Sequence, residues 1–266
     1  MPSSFQDDKI KLAEEAKSSL DMARELADSG KYYETLECYL FAFDNSWAVD
    51  EWDGARLSII PAEIMLLSEH FPAARRALQI RRDATENQIR NGNRDEAVVA
   101  EWSSLNHHLE EQEREIALLN ELEDKSTETE ALKKTIVRSN YDKLLDEENY
   151  AILSEHFDEL RHRLESTISH YQTLLQKPPY WASQHEMWRA TMCAQGSKLY
   201  QVALSTNRQA QAEEICEQVF RYCNNALAFN LFITAALKVG NQSKAAELQQ
   251  QAKKSLSTDE ASKVVC

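Results

Sequence analysis

Leu66-Leu67-Ser68-Glu69-His70-Phe71-Pro72-Ala73-Ala74-Arg75-Arg76-Ala77-Leu78 reads as the end of one helix, a corner at His-Phe and the start of the next. Pro72 suits the first turn of the new helix, where an N–H would have no intrahelical acceptor. The plan returns, altered, as Ile152-Leu153-Ser154-Glu155-His156-Phe157-Asp158-Glu159-Leu160-Arg161-His162-Arg163-Leu164, 86 positions later. A chain built from such corners is expected to be an array of helix pairs, each packing on its neighbours.

Composition points the same way. The 266 residues are 42% apolar and include only 5 Gly and 5 Pro. Ala, Leu, Glu and Gln are abundant and turn-formers are scarce, so the fold is expected to be nearly all-α. The formal charge of −14 disfavours nucleic acid and anionic membranes as partners, since both attract basic surfaces. It permits a basic partner, although an acidic surface more often serves solubility. Cys38, Cys193, Cys216, Cys223 and Cys266 are odd in number and scattered, which argues against a disulfide framework and for a reducing, cytoplasmic setting. Residues 1–20 mix charges with single apolar residues and lack the apolar segment of a signal peptide. The most apolar run, 226–237, is interrupted by Asn230 and Thr234 and is too short to cross a bilayer.

Apolar spacing places a first helix over about Ile10–Ser29, facing inward through Leu12, Ala16, Leu20, Ala23 and Leu26 or Ala27. Gly30 can close it in the left-handed conformation. A second helix, about Tyr32–Ser46, presents Tyr32, Leu36, Tyr39, Leu40 and Phe43. Pro61 either kinks the third helix or moves its start to about Ser58. Helices are further expected to start at Pro72, at about Arg94 and at about Glu111. The next runs from Thr127 through Tyr141 to Leu144 or Leu145, with Thr127 and Glu130 at capping-box spacing. Lys177-Pro178-Pro179-Tyr180 is the strongest breaker, so the chain is divided into an array over 1–177 and further helical repeats over 178–266, read as one contiguous solenoid. The tail from Ser257 is expected to fray.

Gly30, Tyr32, Thr35, Leu36, Tyr39 and Ala42 occupy the offsets of a tetratricopeptide (TPR) repeat, and the first pair resembles one. Thr35 stands where Ala is usual, and Ala23 where Gly is common, so the repeat is degenerate. A wider order of motifs is similar to an uncharacterised family of bacterial TPR-like proteins. It comprises Arg56-Leu57-Ser58, the Phe71-Pro72-Ala73-Ala74 corner, Arg82-Asp83, and Leu105-Asn106 followed by Leu109. The similarity is best over about Gly30–Leu122 and weakens after Pro179. It implies a right-handed α-α superhelix, a TPR-like solenoid of about five or six helix pairs, and brings no activity. In one subclass of these repeats a Lys and an Asn clamp a partner's terminal carboxylate. Leu20 and Arg24 hold those offsets here, so that ligand is not implied.

Catalytic signatures are missing from the sequence. His107 and His108 leave a helix about 100° apart and cannot chelate together. No His-Glu-x-x-His, zinc-finger spacing, P-loop, Gly-x-Gly-x-x-Gly or Gly-x-Ser-x-Gly occurs. No catalytic residue, cofactor or metal ligand is therefore expected. Arg75, Arg76, Arg81 and Arg82 form a basic stripe, with Arg75 and Arg82 on one face. It could receive an acidic peptide through forked hydrogen bonds, but internal pairing with glutamates is the better account. Cys216 and Cys223, two turns apart, read as one buried stripe. Trp102 belongs to the core. Trp47, Trp52 and Trp181 lie in or beside loops, where an aromatic either anchors a partner or plugs a gap between repeats. The expected function is that of a non-catalytic scaffold binding a protein or peptide partner in a concave groove. Arg75, Arg76, Arg82, Trp52 and Trp181 are its candidate contacts. Two alternatives stand behind it: an acidic immunity or inhibitor protein neutralising a basic partner, and an enzyme with an unrecognised site.

Overall fold

The computed structural model describes residues 4–48, 52, 54–123, 126–177 and 182–265. Among them are fifteen α-helices, a 3-10 turn and a π turn, with no strand. No described helix is long and apolar enough to cross a membrane. The chain divides into two compact units, Met1–Ser139 and Asn140–Cys266. The division read from Lys177-Pro178 falls within the second unit, and residues 178–181 lie outside the described set.

The first unit holds α1 (Ser4–Asp28), α2 (Tyr32–Asn45), α3 (Ile60–Ser68), α4 (Ala73–Arg90), α5 (Glu96–Leu109), α6 (Glu113–Glu121) and α7 (Thr127–Ser139). Ala16, Leu20 and Ala23 bury the inner face of α1, against Leu36, Tyr39, Ala42 and Phe43 of α2. Gly30 joins them with φ +71. That conformation lets the Gly30 and Lys31 N–H groups donate to the carbonyls of Ala27 and Leu26, each at 3.0 Å, at little steric cost for glycine. Thr35 fits the crossing because its hydroxyl donates to the Lys31 carbonyl at 2.8 Å and leaves no buried donor unpaired.

The opening corner forms as the sequence predicts. Helix α3 ends at Ser68, the Phe71 N–H donates to the Leu67 carbonyl at 2.9 Å, and α4 begins one residue beyond Pro72. Leu67, Ala74 and Leu78 are buried, and His70 stacks on Tyr32 with ring centroids 5.6 Å apart. Leu67, Ala74 and Leu78 join Ile60, Ile64, Leu105 and Leu109 in one core.

Pro61 has an outcome between the two expected. A π turn, Ala55–Ile59, runs straight into α3, and the register widens by one residue just before the proline. Proline has no N–H to return to the carbonyl four residues back, that of Leu57. Helix α5 takes that carbonyl instead: Ser104 Oγ donates to it, and His108 Nε2 lies 3.2 Å from it. Burial pushes the His108 pKa down, so the ring favours its neutral form, which keeps one N–H. At α7 the cap is Ser126 rather than Thr127, its Oγ accepting the Thr129 N–H at 3.2 Å.

The second unit holds α8 (Tyr141–Asp146), α9 (Tyr150–Glu155), α10 (Phe157–Leu174), α11 (Ala182–Ser205), α12 (Gln209–Phe220), α13 (Ala226–Lys238), α14 (Gln242–Ser255) and α15 (Thr258–Ser262). The single helix expected through Tyr141 is broken at Asn140, with φ −108 and ψ 17. At the second corner His156 alone separates α9 from α10. Phe157 is fully buried there, and the Arg208 guanidinium sits 4.5 Å from its ring centroid while donating to the Ser154 carbonyl at 3.0 Å.

Helix α11 packs against both α12 and α13. Gly196 makes the approach possible. A Cβ there would lie 2.6 Å from Val219 Cγ2 and 3.2 Å from Phe232 Cζ. Around it Phe220 stacks on Phe229 at 4.5 Å, and Phe232 meets Phe220 at 5.0 Å and Tyr200 at 5.1 Å. Cys223 is buried just beyond the end of α12, whereas Cys216 is half-buried on it, so the two do not form one buried helical stripe.

The tail does not fray as the sequence suggests. Ser257 caps α15, and Glu260 Oε2 accepts the Ala226 N–H at 2.9 Å at the start of α13. Asn230 then accepts the Val265 N–H at 2.8 Å and donates to the Lys263 carbonyl at 3.0 Å. Two side chains, Glu260 and Asn230, thus hold the last turn against α13.

Candidate functional site

The arginine stripe of α4 is directed into the first unit. Arg82 is 2% exposed. It donates to Asp83 at 2.7 Å, Asn106 at 3.2 Å and Glu111 at 2.7 Å. Arg75 reaches the Leu109 carbonyl at 2.5 Å and Glu111 at 3.5 Å, and Gln79 also donates to Glu111. Arg81 pairs with Asp44 across to α2. Farther along α4, Glu86 is buried and accepts from Arg90 at 2.8 Å, from Arg114 at 2.9 Å and from the Trp102 indole at 3.4 Å.

These ion pairs explain the local electrostatics. Burial alone would raise the Glu86 and Glu111 carboxyls. Hydrogen bonds from Arg90 and Arg114 to Glu86, and from Arg82 and Gln79 to Glu111, outweigh it and hold both below the ordinary glutamate value. The Arg82 and Arg75 guanidiniums are therefore committed to α5 and the α5–α6 turn. Of the predicted contacts on this stripe, Arg76 is the exposed one, with no partner among the described residues.

The tryptophans divide differently. Trp52 is half-buried and packs against the core of the first unit. Trp102 is completely buried. Trp181 lies outside the described residues. Trp47, in the 3-10 turn Ser46–Ala48, is 52% exposed. It lines a cleft of about 600 Å³. The N-terminal half of α5 also lines it, with Ala97, Val98 and Ala100, as do Leu57 and Arg56 of the π turn.

Arg56 is held at the cleft by two contacts. Its guanidinium pairs with Glu101 and sits 5.2 Å from the Phe43 ring centroid. Asp95 caps α5, accepting the Ala97 N–H at 2.9 Å and the Val98 N–H at 3.4 Å through the same oxygen, Oδ1. Glu96 stands beside it, exposed and without a partner among the described residues. The cleft thus combines an accessible indole, small aliphatic side chains, one neutralised guanidinium and two carboxylates at its rim.

Sequence reasoning singled out Trp47 as a loop aromatic but could not bring it together with α5, which lies about fifty residues further on. Elsewhere, no cluster of three or more His, Cys, Asp or Glu gathers in metal-binding geometry among the described residues. No family model matches this sequence, and no curated protein or solved structure shows significant similarity to it.

Proposed function

We propose that this chain is a non-catalytic binding protein that receives a segment of another protein in the cleft between Trp47 and α5. The observation that carries the reading is a half-exposed indole lining the same cleft as the small side chains Ala97, Val98 and Ala100 of α5. Aromatic side chains left accessible beside a concavity are the usual anchors of protein interfaces. The proposal extends to architecture: the helix pairs of the first unit stack in the right-handed, TPR-like sense, with α1, α3 and α5 lining one face. Supporting this, each helix from α1 to α5 packs on the next across short or π-turn connections. The Arg24–Glu63 pair, at 2.8 Å, ties α1 to α3 side by side.

Affinity capture from native extract tests the binding role. Wild type is compared with Trp47→Ala and with Ala97→Arg, which fills the cleft from an exposed position. Proteins retained by wild type should be lost from both variants and kept by Arg76→Glu. Equal capture by all four removes the cleft as the seat. A second reading, neutralisation of a basic partner, is favoured by charge distribution. Nearly all of the net charge of −14 belongs to residues before Asn140.

A further inference from the structure

We infer that the cleft recognises a basic segment, seating an arginine or lysine side chain on the Trp47 indole with its charge toward Glu96 and Asp95. The inference rests on the binding reading above and adds the chemistry of the ligand. Three observations carry it. Among the described residues the one cation lining the cleft, Arg56, is already paired with Glu101, so an incoming carboxylate would find no unspent donor of full charge there. Glu96 has no partner among the described residues, and Asp95 uses only Oδ1 for capping, which leaves carboxylate acceptors in the lining of the cleft. The indole face is accessible, and Trp is the best ring for attracting a cation.

Charge complementarity reinforces the local case. The positive end of α5 disfavours a cation, but Asp95 at its cap and Glu96 in its first turn answer that dipole. The surrounding unit holds nearly all of the protein's net negative charge, which steers basic segments toward it. The apolar stem of an arginine or lysine then lies against Val98 and Ala100 while its head remains at the polar rim.

Fluorescence anisotropy with labelled 15-residue peptides tests this at about 0.15 M salt, where long-range attraction is largely screened. The probes are five repeats of Gly-Arg-Leu and five of Gly-Glu-Leu. The arginine peptide should bind the full chain and the glutamate peptide should not. Trp47→Ala and Glu96→Lys should each weaken binding roughly tenfold, the scale of a cation–π or charge contact. Glu34→Lys, the same charge change on α2, should alter it less than twofold. Equal weakening by Glu34→Lys and Glu96→Lys would mean a diffuse acidic field and overturns the inference. Binding of the glutamate peptide that Trp47→Ala abolishes overturns the cation while sparing the cleft. Indifference of both peptides to Trp47→Ala removes the cleft as well.

Discussion

The two units solve the same packing problem with different chemistry. In the first, α4, α5 and α6 are joined through buried charge: Arg82 on Glu111 and Asn106, and Glu86 between Arg90 and Arg114. In the second, α11, α12 and α13 close on one another through Gly196 and the rings of Phe220, Phe229, Phe232 and Tyr200. Aromatic packing tolerates changes in pH and salt, and a hydrogen-bonded ion network does not. The difference teaches that similar helix corners need not share an energetic origin.

The comparison can be broken most sharply at the rings. Phe232→Ala should cost about 3–5 kcal/mol, the range for truncating a buried aromatic. Denaturant titration should show the loss in the second unit, through Trp188, and leave the Trp102 signal of the first in place. Next comes the buried arginine. Arg82→Ala should cost about 2–4 kcal/mol, because Glu111 and Asn106 lose their shared donor. Combining Arg82→Met with Glu111→Leu should recover part of that loss, and a double-mutant cycle measures how much. A fully additive cycle would show that the pair carries no coupling.

Smaller effects sharpen the contrast. Gly196→Ala should cost about 1–3 kcal/mol, because the new methyl meets Val219, a buried β-branched residue that cannot swing aside. A melting temperature unchanged by that substitution would mean the helices separate easily. For pH the sign follows from the depressed carboxyls. Glu86 and Glu111 titrate below their ordinary value of 4.5 in the folded protein, so their contribution is present above that value. It is lost as pH falls through the lower folded values. Thermal melts between about pH 6 and pH 3 should therefore destabilise the first unit before the second.

Much of this was legible in the chain. Both Ser-Glu-His-Phe corners, the close at Gly30 and the inward faces of α1 and α2 follow from periodicity and turn chemistry. The break at Asn140 did not, because the turn there stays nearly helical and the Leu144 N–H still donates to the Asn140 carbonyl at 2.9 Å. The apolar phase therefore continues through Tyr141 and Leu144 as though the helix were whole. Burial of Arg82 was hidden for a different reason. Its acceptors lie 24 and 29 residues away, and no local pattern announces them. The docked tail likewise depends on Glu260 finding an uncapped N–H at Ala226, 34 residues earlier. At the cleft, sequence reading singled out Trp47 alone, and only the fold brings Asp95 and Glu96 into the same lining.

Pro61 carries a lesson for anyone altering this protein. An alanine there would score better on every local helix scale, and the third helix taken alone would be the more regular for it. Yet the alanine N–H would reclaim the Leu57 carbonyl and unhook Ser104 and His108, which reach that oxygen from α5. A defect in one helix serves as the fastening point for another, so repairing it would loosen the joint.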